Sequence, residues 1–67
     1  MKTNFNKTFT HNGTKFFANS AKVVDDVTAP VGCVAVTWTA TSMMTHFRKF
    51  GKDRAAANDF ANMLNSK

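Results

Sequence analysis

The fold is decided by one stretch of the chain, residues 46–64, which reads HFRKFGKDRAAANDFANML. Its first part alternates bases with aromatics up to Gly51, and its second part is rich in alanine and asparagine. At 100° per residue, the apolar side chains after Asp53 fall on one arc of a helical wheel and the polar side chains fall on the other. The apolar arc consists of Ala56, Ala57, Phe60, Ala61, Met63 and Leu64. This pattern predicts an amphipathic helix from about Asp53 to Asn65.

Asp53 is well placed to begin this helix. A carboxylate at this position accepts a hydrogen bond from a free amide of the first turn, and its charge suits the positive end of the helix dipole. Gly51 lets the chain turn sharply just before the helix. Because a helix this short is marginal alone in water, its apolar arc needs a partner surface. We therefore expect the rest of the chain to supply a sheet.

The clearest turn signal lies in residues 4–20, NFNKTFTHNGTKFFANS. Two runs rich in Phe and Thr flank Asn12-Gly13, the pair preferred in a two-residue type I′ turn, so the sequence predicts a β-hairpin. The turn fixes the register by pairing Phe9 with Phe16. This register places Phe5, Phe9, Phe16 and Ala18 on one face, and Thr8, Thr10, Lys15 and Phe17 on the other. We expect the first face to join the core.

Residues 33–41, CVAVTWTAT, predict the central strand, because they alternate strictly between the two faces. Val34, Val36, Trp38 and Ala40 would point inward, and Ala35, Thr37, Thr39 and Thr41 would point outward. The preceding KVVDDVTAPVG, residues 22–32, contains Pro30 and Gly32 and predicts a connection with a short extended piece at Val23-Val24.

The next stretch, residues 42–51, reads SMMTHFRKFG and fits two structures. One is a helix capped by Ser42 and ended by Gly51. The other is a strand, which is favoured because a second short helix would also need burial. As a strand it would point Met43, Thr45 and Phe47 inward, and Met44, His46 and Arg48 outward.

These elements predict a single α+β domain over residues 1–67. A small antiparallel sheet packs on one C-terminal amphipathic helix. The sheet consists of the N-terminal β-hairpin plus one or two further strands, so it has at most four strands. With 67 residues, the chain is near the lower size at which one core suffices. The expected core consists of Phe5, Phe9, Phe16, Val34, Val36, Trp38, Phe47, Phe60 and Leu64.

The composition gives little support for catalysis. Two histidines, one cysteine and four acidic residues show no spacing typical of a zinc site. Cys33 lies in an apolar strand, so we expect a buried and inert thiol. The GKDR segment lacks the glycine spacing of a phosphate-binding loop. We expect no enzyme activity, cofactor or metal.

The chain also lacks the marks of an exported or membrane protein. A lone cysteine cannot form an internal disulfide, and the apolar run VGCVAV is far too short to cross a bilayer. The first twenty residues show no secretory pattern. We expect a cytoplasmic protein with no membrane partner.

The charge distribution suggests a binding face. Nine bases and four acids give a net charge of +5, and no acid precedes Asp25. The expected outward residues would form a basic, hydroxyl-lined sheet face with one aromatic; they are Lys15, Phe17, Thr37, Thr39, His46 and Arg48. In the alternative, these are ordinary outward strand residues, and the SAKVVDD connection covers Phe17. The polar side of the helix, with Arg54, Asn58 and Asn62, offers a second surface.

Residues 46–61, HFRKFGKDRAAANDFA, form a strand ending in an aromatic and followed by an alanine-rich helix. This pattern resembles the strand-to-helix junction of the plant GCC-box-binding domain and of the arm-site-binding domain of phage integrases. Those families pack a three-stranded sheet on one helix and read DNA with the sheet. The resemblance implies Arg48 and Lys49 as strand contacts to nucleic acid. It carries over these two residues alone, since no arginine precedes Arg48.

The overall composition, a very short basic chain with a ββ…βα plan, also resembles small phage-encoded accessory proteins that bind and disable host machinery. This resemblance implies a non-enzymatic protein that binds a host protein, such as nucleic-acid-processing or defence machinery, in the cytoplasm of the host cell. The alternative is a nucleic-acid-binding module that uses the basic sheet face. The two predictions differ in salt dependence, because binding to phosphates weakens steeply as salt rises.

Overall fold

A computed structural model describes residues 3–67. Over these residues the chain forms five strands and one helix, and all paired strands are antiparallel. The elements are β1 (Asn4–His11), β2 (Thr14–Ala18), β3 (Lys22–Asp25), β4 (Val34–Thr39), β5 (Thr45–Gly51) and α1 (Arg54–Asn65). The predicted α+β class, with an N-terminal hairpin and a C-terminal helix, is confirmed.

The hairpin forms around the predicted turn. Asn12 and Gly13 have φ angles of 51° and 79°, and a type I′ turn requires positive φ at both central residues. Phe9 lies opposite Phe16, as the turn predicts. Phe16 is buried and Phe9 packs partly buried against the core.

The far end of the hairpin departs from the predicted register. Asn4 pairs with Ala18 and Thr8 pairs with Phe17, so β1 contains extra residues between these two pairs. Such a bulge reverses the face to which side chains on its far side from the turn point. Phe5 therefore lies on the side of Phe17, and the two rings meet edge to face with centroids 5.0 Å apart. Phe5 is 62% exposed, and the prediction that it joins the core is wrong.

The other three strands form a sheet in the order β3-β4-β5. The short extended piece predicted at Val23-Val24 is present, and it is longer than expected: residues 22–25 form the full strand β3, since all four pair with β4. Residues 26–33 make the actual connection. Cys33, at its end, is buried as predicted.

β2 and β3 lie end to end along the same edge of β4. Beyond β4, the Thr41 amide donates to the Lys15 carbonyl at 3.1 Å, and Phe16 bridges to Ala40. The hairpin thus continues the sheet on the β3 side, which gives a four-stranded arrangement with one interruption. We call this interruption, residues 19–21, the strand break.

Two side chains replace the missing backbone pairing at the strand break. The Ser20 hydroxyl donates to the Phe17 carbonyl at 2.8 Å and accepts from the Thr39 amide at 3.1 Å. The side-chain amide of Asn65, in the last turn of α1, bonds the backbone of Ala21. The strand break is therefore closed by one residue within it and by one residue of the helix.

The helix forms as predicted and covers one face of the sheet. Asp53 caps it, because the Asp53 carboxylate accepts a hydrogen bond from the Ala56 amide at 3.0 Å. The buried helix residues are Ala57, Ala61 and Leu64. The remaining buried apolar residues of the core are Phe16, Ala21, Val34, Val36, Trp38 and Ala40. Phe60, also predicted for the core, is partly buried against it.

Residues 45–51 form a strand, so the helical alternative for this stretch is excluded. The predicted orientation of its side chains, however, is wrong. His46 lies opposite Trp38 and Arg48 lies opposite Val36, which places both on the helix side. Phe47 lies opposite Thr37, away from the helix, and is 62% exposed.

The reason for this reversal is the pairing of β5 with β4. Directly opposed side chains in an antiparallel pair share a face, so the register sets the orientation of every β5 residue. Thr45, predicted to face inward, lies opposite Thr39 and therefore faces outward. Met43 and Met44 lie in the turn before β5 and are exposed.

Candidate binding face

The face of the β3-β4-β5 sheet opposite the helix carries the candidate site. We call it the outer face. Its cross-strand rows follow from the register, and they are Lys22–Thr37–Phe47, Val24–Ala35–Lys49 and Thr39–Thr45. The face therefore combines hydroxyl groups, two ammonium groups and one exposed aromatic ring.

A groove runs between the outer face and the start of the hairpin. It has a volume of about 740 Å³, and its lining includes Phe5 and four threonines, Thr3, Thr37, Thr39 and Thr45. Threonine hydroxyls both donate and accept hydrogen bonds, while the Phe5 ring supplies an apolar wall. The β1 bulge creates this wall, because it turns Phe5 away from the core.

The charged side chains on the outer face are all basic. Lys22 and Lys49 lie on the face itself. Lys15 is exposed on the side of the hairpin that carries Phe17, since alternate strand residues share a face. Asp25 lies on the helix side instead, where its carboxylate is 3.9 Å from the Arg54 guanidinium. The outer face therefore attracts acidic groups.

A small polar cluster orients Lys49. The Lys49 ammonium donates to the Thr28 hydroxyl oxygen at 3.2 Å, and this hydroxyl donates to the Asp26 carboxylate at 2.7 Å. The Thr28 amide also donates to the same carboxylate oxygen at 3.1 Å. These hydrogen bonds to Thr28, together with the nearby Lys49 charge, lower the pKa of Asp26. The Lys49 side chain is thereby held toward the connection between β3 and β4.

His46 and Arg48 belong to an aromatic cluster on the helix side. The Arg48 guanidinium lies 5.1 Å from the ring centroid of Phe50 and 5.2 Å from that of Phe60. The His46 ring stacks on Trp38 at 6.3 Å. His46 and Arg48 were predicted to share a face with Thr37 and Thr39. In the structure the two pairs lie on opposite faces of the sheet.

The predicted partner-binding residues thus divide into two groups. Thr37, Thr39 and Lys49 lie on the outer face, with Lys15 and Phe17 on the same side of the hairpin. His46, Arg48 and Arg54 lie on the helix side. Phe17 is half-buried, because its ring packs against the ring of Phe5. It is therefore less exposed than the sequence predicted.

Sequence reasoning missed Lys22, Val24, Thr45 and Phe47 of the outer face, and also Phe5, which lines the groove beside it. The alternation of residues 42–50 was recognisable, but alternation alone does not say which set of side chains points inward. Thr37 and Thr39 were assigned correctly.

No protein-family profile, curated protein or solved structure matches this chain. Residues 3–67 contain no group of three or more His, Cys, Asp or Glu side chains arranged to hold a metal ion. In the same part of the chain, no helix is long and apolar enough to span a membrane.

Proposed function

We propose that this protein is a non-enzymatic binding protein that holds a protein partner on its outer face. The observation that carries the proposal is the position of Phe47. Its side chain lies in the row Lys22–Thr37–Phe47, on the face without the helix, and is 62% exposed. Exposed aromatic rings of this kind supply most of the binding energy when a partner removes them from water.

A second phenylalanine supports the same face. Single exposed apolar residues are normal on protein surfaces, and Val27 and Val31 are examples in the connection before β4. Phe5 and Phe47, by contrast, border one face that also carries a threonine-lined groove. An apolar patch rimmed by polar residues is typical of an interaction site.

The charge of the outer face favours an acidic partner surface. Lys22 and Lys49 lie on the same face as the exposed aromatic, and complementary charges speed association and exclude wrong partners. We propose a phage-type inhibitor that acts on host nucleic-acid-processing or defence machinery in the host cytoplasm. The small size and the net charge of +5 support this proposal, and so does the lone cysteine, which suits a reducing compartment.

The test is capture of partners from a nuclease-treated bacterial lysate, followed by calorimetry with the purified partner. Phe47→Thr removes the ring and keeps a residue suited to a strand. Val31→Thr is the matched control, because Val31 is 99% exposed but lies in the connection. We expect Phe47→Thr to weaken binding about tenfold or more and Val31→Thr to leave it unchanged. If the parent, Phe47→Thr and Val31→Thr proteins bind the partner with equal affinity, the outer face is not the binding site.

Nucleic acid is the second candidate, favoured by one observation. The outer-face positions of β3, β4 and β5 carry lysines, threonines and an exposed phenylalanine but no carboxylate, and single strands bind to such surfaces by stacking bases on aromatic rings. Titration with oligothymidine at several salt concentrations tests this candidate. In that case Lys22→Gln and Lys49→Gln should each reduce the slope of log K against log salt by about 1.

A further inference from the structure

Within residues 3–67, β5 forms a free edge of the sheet, because the strand order is β3-β4-β5. The Ala40 amide donates to the Met44 carbonyl at 2.9 Å, which fixes the hydrogen-bonding pattern between the two strands. In an antiparallel pair, bonded and non-bonded residue pairs alternate. His46 and Arg48 therefore bond to β4.

Three β5 residues direct their backbone amide and carbonyl groups away from β4, toward the free edge. By the same alternation, the amide and carbonyl groups of Thr45, Phe47 and Lys49 point away from β4. From Thr3 to Lys67, no hydrogen bond reaches any of these six groups. Together they present a row of donors and acceptors that an additional strand can pair with.

The usual protections against strand addition are weak on β5. Natural edges are blunted by proline, by a bulge or by a lysine that extends over the edge. β5 contains no proline, and its bulge lies at the far end, where Gly51 pairs with Val34. The Lys49 ammonium bonds Thr28, in the connection before β4, rather than extending past the edge.

We propose that the free edge of β5 binds an extended acidic segment of the partner protein as an additional strand. Strand addition supplies affinity through backbone hydrogen bonds and specificity through alternate side chains. A residue opposite Phe47 would be apolar, while a residue opposite Arg48 would be acidic. The inference rests on the proposed function in one respect, namely that the partner is a protein.

Charge selects the acidic segment over other occupants. Arg48, Lys49 and Lys52 lie within five positions of one another, and β5 carries no acid. A second copy of this chain would bring the same cations together across the new pair, where like charges are destabilising. Its net charge of +5 adds to the repulsion.

Amide hydrogen exchange, measured by NMR on the folded protein, tests the inference. The probe is a capped peptide of alternating Glu and Val with the length of β5, seven residues; the control peptide alternates Lys and Val. We expect the acidic peptide to slow exchange at Thr45, Phe47 and Lys49 about tenfold or more at saturation. His46 and Arg48 are internal controls and should change little, since their amides already bond to β4.

Two substitutions at Lys49 distinguish the contribution of the backbone amide to peptide binding from that of the side-chain charge. Lys49→Val and Lys49→Pro both remove the ammonium group, but only proline also removes the outward amide, and an edge strand tolerates it. We expect peptide affinity to fall a few-fold for Lys49→Val and at least tenfold for Lys49→Pro.

Three results would overturn the inference. They are absence of binding by the acidic peptide at millimolar concentration, equal protection by the basic peptide, and concentration-dependent pairing of β5 with β5. A fourth pattern separates the two proposals. If the peptide shifts resonances of Thr37 and Lys22 but leaves the three outward amides unprotected, the outer face binds protein and the edge does not.

Discussion

The side-chain amide of Asn65 forms two hydrogen bonds with the backbone of Ala21, a residue 44 positions earlier in the chain. Its oxygen accepts from the Ala21 amide at 3.1 Å, and its nitrogen donates to the Ala21 carbonyl at 3.0 Å. Ala21 lies in the strand break, where no strand within residues 3–67 supplies these partners. The helix therefore replaces one residue of a β-ladder.

Asn65→Ala should destabilise the protein by about 1–3 kcal/mol, because it leaves a buried amide and a buried carbonyl without partners. Asn58→Ala is the matched control. Asn58 is exposed in the same helix, and alanine favours a helix more than asparagine does. Urea unfolding of both variants measures the difference. Equal stabilities would show that the Asn65 hydrogen bonds contribute nothing.

Arg48→Met should destabilise the protein by about 0.5–1 kcal/mol through loss of the cation–π contacts with Phe50 and Phe60. Methionine keeps much of the apolar length of the side chain, so the charge is the main loss. Arg54→Met is the control, since its exposed ion pair with Asp25 contributes little. In thermal melts, Arg48→Met should have a lower Tm than both Arg54→Met and the parent. The opposite order would show that the Arg48 guanidinium does not stabilise the fold through its contacts with the two rings.

Met43→Gly should stabilise the protein. Met43 has a φ of 69° in the turn before β5, a conformation that costs a residue with a side chain about 1 kcal/mol or more. Its side chain is 67% exposed, so little packing is lost. We expect a gain of about 0.5–1 kcal/mol, or roughly 2–8 °C in Tm.

The neighbouring Met44 is the control for this substitution. It is 63% exposed and has no positive φ, so Met44→Gly should lower the Tm through the larger entropy loss of glycine on folding. Two variants with shifts of the same sign would exclude strain at Met43.

Thr28→Val should change how stability depends on pH. Hydrogen bonds from Thr28 lower the pKa of Asp26 below its ordinary value of 3.8, so the fold favours the ionised carboxylate. The resulting stabilisation is present above the unfolded pKa and is lost as pH falls through the folded pKa. The Tm difference between parent and variant should therefore be largest near about pH 6 and shrink toward about pH 2.5. Thr41→Val, in an exposed turn, should show no such convergence.

Local sequence signals predicted the elements that depend on local chemistry. Asn12-Gly13 specified the first hairpin and its register near the turn, and Asp53 with the apolar arc specified the helix. Burial of Trp38 also followed from the sequence, because Trp38 alternates with threonines and shares its face with valines. In each case a few adjacent residues carry the physical cause.

The remaining features depend on contacts between distant parts of the chain. The β1 bulge that exposes Phe5 has no marker such as glycine near residues 5–7. The face on which Phe47 lies is set by the pairing of β5 with β4. Asn65 belongs to the polar arc of the helical wheel, and only the position of Ala21 gives it a structural role. Of the predicted binding residues, His46 and Arg48 were therefore assigned to the wrong face of the sheet.

Trp38 makes the folding of this protein visible without a label. It is the only tryptophan, it is 7% exposed, and its indole contacts Phe16 of the hairpin and Phe60 of the helix. Its fluorescence should therefore respond when the hairpin or the helix detaches from the sheet. A ligand on the outer face lies across the sheet from the indole and should leave the emission spectrum nearly constant. The intrinsic signal thus reports unfolding while remaining insensitive to a ligand confined to the outer face.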